Sequence, residues 1–178
     1  MTNSYSRGRV KIIILGQPAT KKNSSTMAFG TGRAVILPSK SYKEYEKAFR
    51  QQLMCMGRLP HFETGVQVTA KYYLQNRAHY PDLVGLMQAT ADILSDEYKS
   101  INHKKVCMKQ WILSDDRIIK SWDGTQIAGI DKENPRVEIE IRELETDLVT
   151  ETDPNIVKIL EARLCTSTTT ISGQPKDG

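Results

Sequence analysis

Two acidic positions in the chain have the side chains that phosphodiester chemistry requires. Asp82 follows Pro81 at the predicted start of a helix, and the pair Asp115-Asp116 precedes a predicted strand. Cleavage of a phosphodiester needs a cation that neutralises charge at phosphorus and activates water, and Mg²⁺ prefers carboxylate oxygens. Both positions also have an ordinary structural interpretation, because aspartate caps helices and forms turns. The residues alone leave both interpretations open.

The basic residues are concentrated in the first half of the chain. Residues 1–80 carry 13 Lys or Arg and 3 Asp or Glu, a net of +10, whereas residues 81–142 and 143–178 have nets of −2 and −4, giving +4 in total. Such a distribution favours a polyanionic partner, because lysines that neutralise phosphates release condensed counterions. The candidates for phosphate contact are Lys21, Lys22, Arg33 and Lys40, with solvated surface lysine as the alternative.

These residues must be positioned by the elements that the hydrophobic periodicity predicts. A strand is predicted at Val10–Leu15, then a polar basic loop over 19–40. A helix follows from Ser41 to about Met56, with Ser41 as its cap, Glu44 completing a capping box and Gly57 ending it. The alternating run Val66–Leu74 predicts a half-buried strand.

The second half of the chain predicts one more main helix and several strands. The helix opens at Pro81 and runs to about Leu94, and residues 95–109 are predicted as a loop or irregular insertion. The remaining predicted elements are strands at Val106–Leu113, Arg117–Ile130 and Val137–Ile141, a short helix at Pro154–Leu164, and disorder over Cys165–Gly178. The order predicts one compact mixed α/β (α+β) domain with a mixed sheet and two main helices over residues 1–145, followed by an acidic appendage over 146–178.

Composition limits the compartment and the class of site. Cys55, Cys107 and Cys165 are odd in number, far apart and without a CxxC pair, which argues against a disulfide framework or a zinc site. No stretch approaches the roughly 20 apolar residues that span a bilayer. The N-terminal residues have no apolar segment typical of a secretory signal. We therefore expect a cytoplasmic protein with no membrane partner.

Several segments, taken in order, resemble the RusA family of Holliday-junction resolvases. They are GQPATKKNSS and the Lys-Ser-Tyr-Lys-Glu-Tyr helix start, then PDLVGLMQATADIL, LSDDRIIKSW and PRVEIEI. Together they cover roughly residues 10 to 142. The resemblance implies a RusA-like fold and a homodimeric, Mg²⁺-dependent endonuclease that cuts four-way DNA junctions symmetrically, in DNA recombination and repair.

The resemblance also implies roles for single residues. Asp82 matches the first aspartate of the family's Asp-Leu-Asp-Asn helix start, and Asp116 of the Asp-Asp pair matches the other metal ligand, with Asp115 assisting. Asp92 falls on a structural aspartate at the end of the helix. Lys21 and Lys22 match the family's early basic loop, where phosphate contact is expected.

The chain departs from the family pattern at two of its four catalytic positions. The second aspartate falls on Val84, which cannot bind a cation, and the lysine falls on Gln88, which carries no charge. Lys104 or Lys105, in an insertion longer than the family usually has, could replace that lysine. Three hypotheses follow: an active junction endonuclease, a weakened or inactive junction-binding protein on the same fold, and an unrelated basic α/β protein.

Overall fold

The centre of the molecule is a six-stranded mixed sheet, seen in a computed structural model that describes residues 4–6, 8–21, 26–30, 33–37, 39–78, 80–145, 148 and 151–168. The sheet contains β1 (Ser4–Ser6), β2 (Arg9–Leu15), β5 (Val66–Leu74), β8 (Ile119–Ser121), β9 (Gln126–Ile130) and β10 (Arg136–Glu143). Two separate hairpins are formed by β3 (Thr26–Gly30) with β4 (Arg33–Leu37) and by β6 (Glu97–Ile101) with β7 (Lys104–Lys109). The helices are α1 (Lys40–Cys55), α2 (Leu83–Leu94) and α3 (Pro154–Thr168).

Strand β10 lies between β2 and β5 and is antiparallel to both. Its Ile139 stands opposite Ile12 of β2 and Ala70 of β5, and all three side chains are buried. The short strands β8 and β9 pair with β5 in parallel, which makes the sheet mixed. The prediction of a mixed α+β domain with a mixed sheet is therefore confirmed.

The alternation predicted for β5 is observed, and it fixes which face of the sheet carries the core. Val66, Val68, Ala70 and Tyr72 are all fully buried. Helices α1 and α2 contribute buried side chains to the same core. The Tyr72 hydroxyl lies 2.9 Å from the Thr90 hydroxyl of α2, so the one polar group on this face of the strand has a partner.

Helix α1 begins at Lys40, one residue earlier than the sequence predicts. Its cap is Ser39, whose hydroxyl accepts a hydrogen bond from the Tyr42 backbone N–H at 3.1 Å, so the prediction of Ser41 as cap is wrong. Ser39 and Ser41 are two residues apart, and the sequence does not distinguish them. Gly57, with φ of +78°, follows the C-cap residue Met56 as predicted. The buried stripe of α1 comprises Tyr42, Tyr45, Phe49 and Leu53.

Two segments predicted as loops contain hairpins. Within residues 19–40, the two five-residue strands β3 and β4 pair antiparallel from Thr26 opposite Leu37 to Gly30 opposite Arg33. Within residues 95–109, β6 and β7 are joined at Asn102-His103, whose φ angles of 50° and 61° are those of a type I′ turn. The strand predicted at Val106–Leu113 coincides with β7 only over residues 106–109, and β6 was missed because its side chains are nearly all exposed, so no apolar alternation reveals it.

The predicted strand Arg117–Ile130 is interrupted. The structure has a 3₁₀ turn at Asp116–Ile118, then β8, a turn that includes Asp123-Gly124, and β9. Gly124 has φ of +74°, which explains why the run cannot continue as one extended strand.

Helix α3 confirms the predicted C-terminal helix but is longer, so the prediction of disorder is wrong for residues 165–168 and lies outside the described residues for 169–178. Its Ile156 is buried in the main core. Just before α3, Glu151 is ion-paired with Lys120 at 3.1 Å. Across the described ranges, no helix is both long and apolar enough to cross a membrane.

Candidate functional site

The Asp115-Asp116 pair lies between the β6–β7 hairpin and β8, where the chain returns to the main sheet. Asp115 caps the 3₁₀ turn, and its Oδ1 accepts hydrogen bonds from the Arg117 backbone N–H at 3.2 Å and the Arg117 Nε at 2.9 Å. The turn interpretation of this pair is therefore correct for Asp115. It does not exclude a chemical role, because Asp116 takes no part in that cap.

The two carboxyl groups of the pair have opposite electrostatic environments. Although partial burial raises it, hydrogen bonds from the Arg117 side chain and backbone hold the pKa of Asp115 well below its usual range. Partial burial, the hydrogen bond with Asp115 and the negative charge of Asp115 raise the pKa of Asp116, and the charge of Asp92 adds to this. Asp116 is thus a carboxyl group whose negative charge its neighbours oppose.

A lysine from the β6–β7 hairpin reaches this pair. The Lys105 Nζ lies 3.4 Å from the Asp115 Oδ2 and 4.0 Å from the centroid of the Tyr98 ring. The Tyr98 hydroxyl in turn donates to the Ser114 backbone oxygen at 3.2 Å. The β6–β7 hairpin therefore contacts the acidic pair. Lys105 is one of the two lysines that the sequence analysis offered as a substitute for the lysine missing at Gln88.

Asp92 connects the acidic pair to the early basic loop. Its Oδ2 is buried and lies 2.6 Å from the Nζ of Lys21. Lys21 also stands 5.6 Å from the centroid of the Tyr42 ring. Lys21, predicted to contact phosphate, thus has a carboxylate partner within the protein. The role of Asp92 beside the pair was missed, because family resemblance placed it as a structural residue only.

Asp82 is the N-cap of α2, and its Oδ1 accepts a hydrogen bond from the Gly85 backbone N–H. A Cβ at residue 85 would lie 2.8 Å from the Asp82 Oδ1 and 3.2 Å from the Thr20 Cγ2. Glycine is therefore required for the close approach of loop, cap and helix, at a position where the family pattern has asparagine. The capping interpretation of Asp82 is confirmed.

Val84 and Gln88, the two catalytic positions at which the chain differs from the RusA pattern, both face solvent on α2. Val84 is 67% exposed, and Gln88 is also exposed. No buried neighbour requires either side chain, so a carboxylate and a lysine could occupy these positions without disturbing the core.

The predicted metal ligands, Asp82 and Asp116, do not appear within a ready-made metal centre. Over the part of the chain that the structure describes, no group of three or more His, Cys, Asp or Glu side chains is placed to hold a metal ion. Asp82 caps the start of α2, and Asp92 lies ten residues later, roughly 15 Å along the helix axis. The electrostatic neighbours of Asp116 are Asp115 and Asp92.

The remaining predicted DNA contacts are only partly described. Lys22 lies outside the described residues, and Arg33 belongs to β4, of which only the backbone is described. Lys40 is the first residue of α1, with a side chain that is 91% exposed and an Nζ that is 3.8 Å from the Glu44 carboxylate. Lys40 is therefore accessible to a phosphate.

No protein-family model matches this chain, and no curated protein matches it.

Proposed function

We propose that this protein is a Mg²⁺-dependent endodeoxyribonuclease that resolves four-way DNA junctions, in the manner of the RusA family that its sequence resembles. The observation that carries the proposal is the electrostatic environment of the Asp116 carboxyl group. Its neighbours Asp115 and Asp92 have cationic partners, Arg117 and Lys21 respectively. Among the described residues, Asp116 has no lysine or arginine within ion-pair distance, and its pKa is raised. A cation supplied from solution would relieve that repulsion.

The donor set fits a hard divalent cation in its chemistry. Asp116 and Asp115 offer only carboxylate oxygens, the ligands that Mg²⁺ prefers. Asp116 would hold the ion, and Asp115, kept ionised by Arg117, would orient a ligand or a water. When bound, Mg²⁺ supplies charge neutralisation at phosphorus and activation of the attacking water.

Lys105 provides the positive charge that Gln88 lacks. Its Nζ is 3.4 Å from Asp115, and its side chain is 60% exposed, so it can bind a phosphate oxygen beside the acidic pair. Symmetric cleavage of a four-way junction needs two sites, so we include a homodimer in the proposal.

The second candidate is a junction-binding protein that cuts slowly or not at all. The observation that favours it is the position of Asp82, whose carboxylate caps α2 while Val84 contributes no ligand. In that case, the acidic pair would serve only to position Lys105 and the 3₁₀ turn. The two candidates share the DNA partner and differ in chemistry.

Cleavage of a labelled four-way junction in excess Mg²⁺, beside a binding assay in Ca²⁺, tests the proposal. We expect paired symmetric nicks from the wild type. Asp116→Asn should lower cleavage on the order of a thousandfold while leaving junction binding intact, because it removes one metal ligand. The matched control is Asp123→Asn, an exposed aspartate in the turn before β9, which should cut like the wild type.

The outcomes separate the candidates. Tight, junction-selective binding without nicks would establish the second candidate and reject the first. Equal cleavage by Asp116→Asn and the wild type would remove Asp116 from the site. Equal affinity for junction and duplex at raised salt would reject both candidates.

A further inference from the structure

The β6–β7 hairpin is a two-stranded ribbon whose side chains are almost all exposed. Five residue pairs define its register, from Glu97 opposite Lys109 to Ile101 opposite Lys104. At about 3.3 Å per residue, the ribbon is on the order of 16 Å long. Its type I′ turn matches the right-handed twist of the strands, which favours a regular ribbon rather than an irregular loop.

The charge of this ribbon is strongly one-sided. Residues 97–109 carry four lysines and one glutamate, a net of +3. The glutamate, Glu97, is already engaged at the base of the ribbon by Arg50 and by the Trp111 Nε1, which donates at 3.1 Å. The lysines toward the turn therefore face solvent with no carboxylate on the ribbon to neutralise them.

The two faces of the ribbon have different surroundings. Strand alternation puts Tyr98 and Lys105 on the face that contacts the Asp115-Asp116 turn. The opposite face carries Lys99, Ile101, Lys104 and Val106. Ile101 and Val106 on this face are 45% and 39% exposed, and within the described residues neither lysine forms an ion pair.

The positive surface continues at the base of the ribbon. A cleft of about 470 Å³ opens there between the end of α1 and β7, and its lining includes Arg58, Lys109 and Trp111. The Lys109 Nζ lies 4.2 Å from the centroid of the Trp111 ring, which orders the lysine at the mouth of the cleft. Arg58 and Lys109 therefore add positive charge at the base of the ribbon.

We propose that the outer face of the β6–β7 ribbon binds the backbone of duplex DNA through Lys99 and Lys104. The occupant is inferred from charge: Lys99 and Lys104 are diagonal neighbours on one face, have no ion-pair partner among the described residues, and are complementary to phosphates. The shape agrees, because a major groove about 12 Å wide admits a two-stranded ribbon. The inference rests on the proposed function in one respect only, the choice of DNA as the polyanion. In a four-way junction, the ribbon would hold a duplex arm beside the cut site.

The test compares the wild type with a double variant that carries both Lys99→Gln and Lys104→Gln. Affinity for a linear duplex and for a four-way junction is measured by fluorescence anisotropy over a range of salt concentrations in Ca²⁺. Loss of two phosphate contacts should reduce the slope of log K against log salt by about 1.8 and weaken binding to both DNAs. The matched control, Lys47→Gln with Lys132→Gln, removes the same charge from exposed lysines elsewhere and should change the slope by less than half as much.

Each outcome decides the inference. An unchanged salt slope in the ribbon variant, or a slope change equal to that of the control, overturns it. If the ribbon variant changes oligomeric state, as measured by light scattering, while its DNA binding is unaltered, the outer face of the ribbon binds a second copy of the chain instead of DNA. A reduced slope supports the inference even where the wild type makes no nicks, so failure of the nuclease proposal is seen separately. Melting curves for all variants should coincide, because every substituted side chain is exposed.

Discussion

The Lys21 Nζ lies 2.6 Å from the Asp92 Oδ2, and this ion pair joins the early basic loop to the third turn of α2. Lysine at this position was predicted to contact phosphate, and it has a partner inside the protein. Since the Asp92 oxygen is buried, the pair anchors the loop against the helix. Lys21 therefore has a structural role whether or not it also contacts DNA.

Removal of Lys21 should destabilise the fold. Lys21→Ala leaves a buried carboxylate oxygen without its cation, and we expect a loss of about 1–3 kcal/mol in the free energy of unfolding. Urea denaturation monitored by circular dichroism measures it. Lys43→Ala, an exposed lysine of α1, is the control and should change stability by less than about 0.5 kcal/mol. Equal stability of the two variants would mean that the ion pair contributes nothing.

Asp82 can be tested for capping and for chemistry separately. Asp82→Ala removes the cap and should cost about 1 kcal/mol, whereas Asp82→Asn retains a capping oxygen and should be nearly neutral for stability. If Asp82 also serves as a metal ligand, Asp82→Asn should lose cleavage while its melting temperature stays unchanged. If the asparagine variant cuts as fast as the wild type, Asp82 is a cap only.

The raised pKa of Asp116 predicts that the free energy of unfolding depends on pH. Its pKa is raised in the folded state, so the ionised group opposes folding at neutral pH and the protonated group does not. Asp116→Asn should therefore be more stable than the wild type at pH 7, and the difference should disappear below about pH 3.8, the ordinary value for this group. Denaturation at several pH values measures this. A variant that is less stable at pH 7 would contradict the assignment.

Metal binding gives a second measurement on the same variant. If Asp116 holds Mg²⁺, added Mg²⁺ should raise the melting temperature of the wild type and shift Asp116→Asn much less, because a ligand stabilises only the state that binds it. Equal shifts would place the ion elsewhere.

Restoring the family pattern on α2 should increase cleavage. Val84→Asp with Gln88→Lys puts a carboxylate and a lysine on exposed positions four residues apart, which also favours the helix slightly. We expect at least a tenfold gain in junction cleavage in Mg²⁺. The control is the reversed pair, Val84→Lys with Gln88→Asp, which has the same composition in the wrong order. No gain from the first pair would mean that the site differs from the RusA pattern at more positions than these two.

The sequence predicted the elements whose apolar faces are buried. β5 and α1 were found because Val66, Val68, Tyr42 and Phe49 repeat at the periods of a strand and a helix. The β6–β7 hairpin was missed as a unit because apolar and charged side chains are mixed on both of its exposed faces, and the strand predicted at Val106–Leu113 overlaps β7 only over residues 106–109.

The candidate site was predictable in its residue types but not in its pairings. Asp115 and Asp116 were identified from adjacency and resemblance, whereas the contacts of Lys105 with Asp115 and of Lys21 with Asp92 depend on how distant segments pack. Lys21 and Asp92 are 71 positions apart, and no periodic pattern reports such a contact. Arg117, which holds Asp115 ionised, had no signal beyond its place two residues later.

The pairing of β2 with β10 has a consequence for synthesis on the ribosome. Leu15 of β2 pairs with Arg136 of β10. About 120 further residues must therefore be synthesised before the apolar strand β2 can pair with β10. At about 5–20 residues per second, this is roughly 6 to 25 seconds. During that time the nascent chain exposes the unpaired edge of Val-Lys-Ile-Ile-Ile-Leu, which favours aggregation, and slower translation prolongs that exposure.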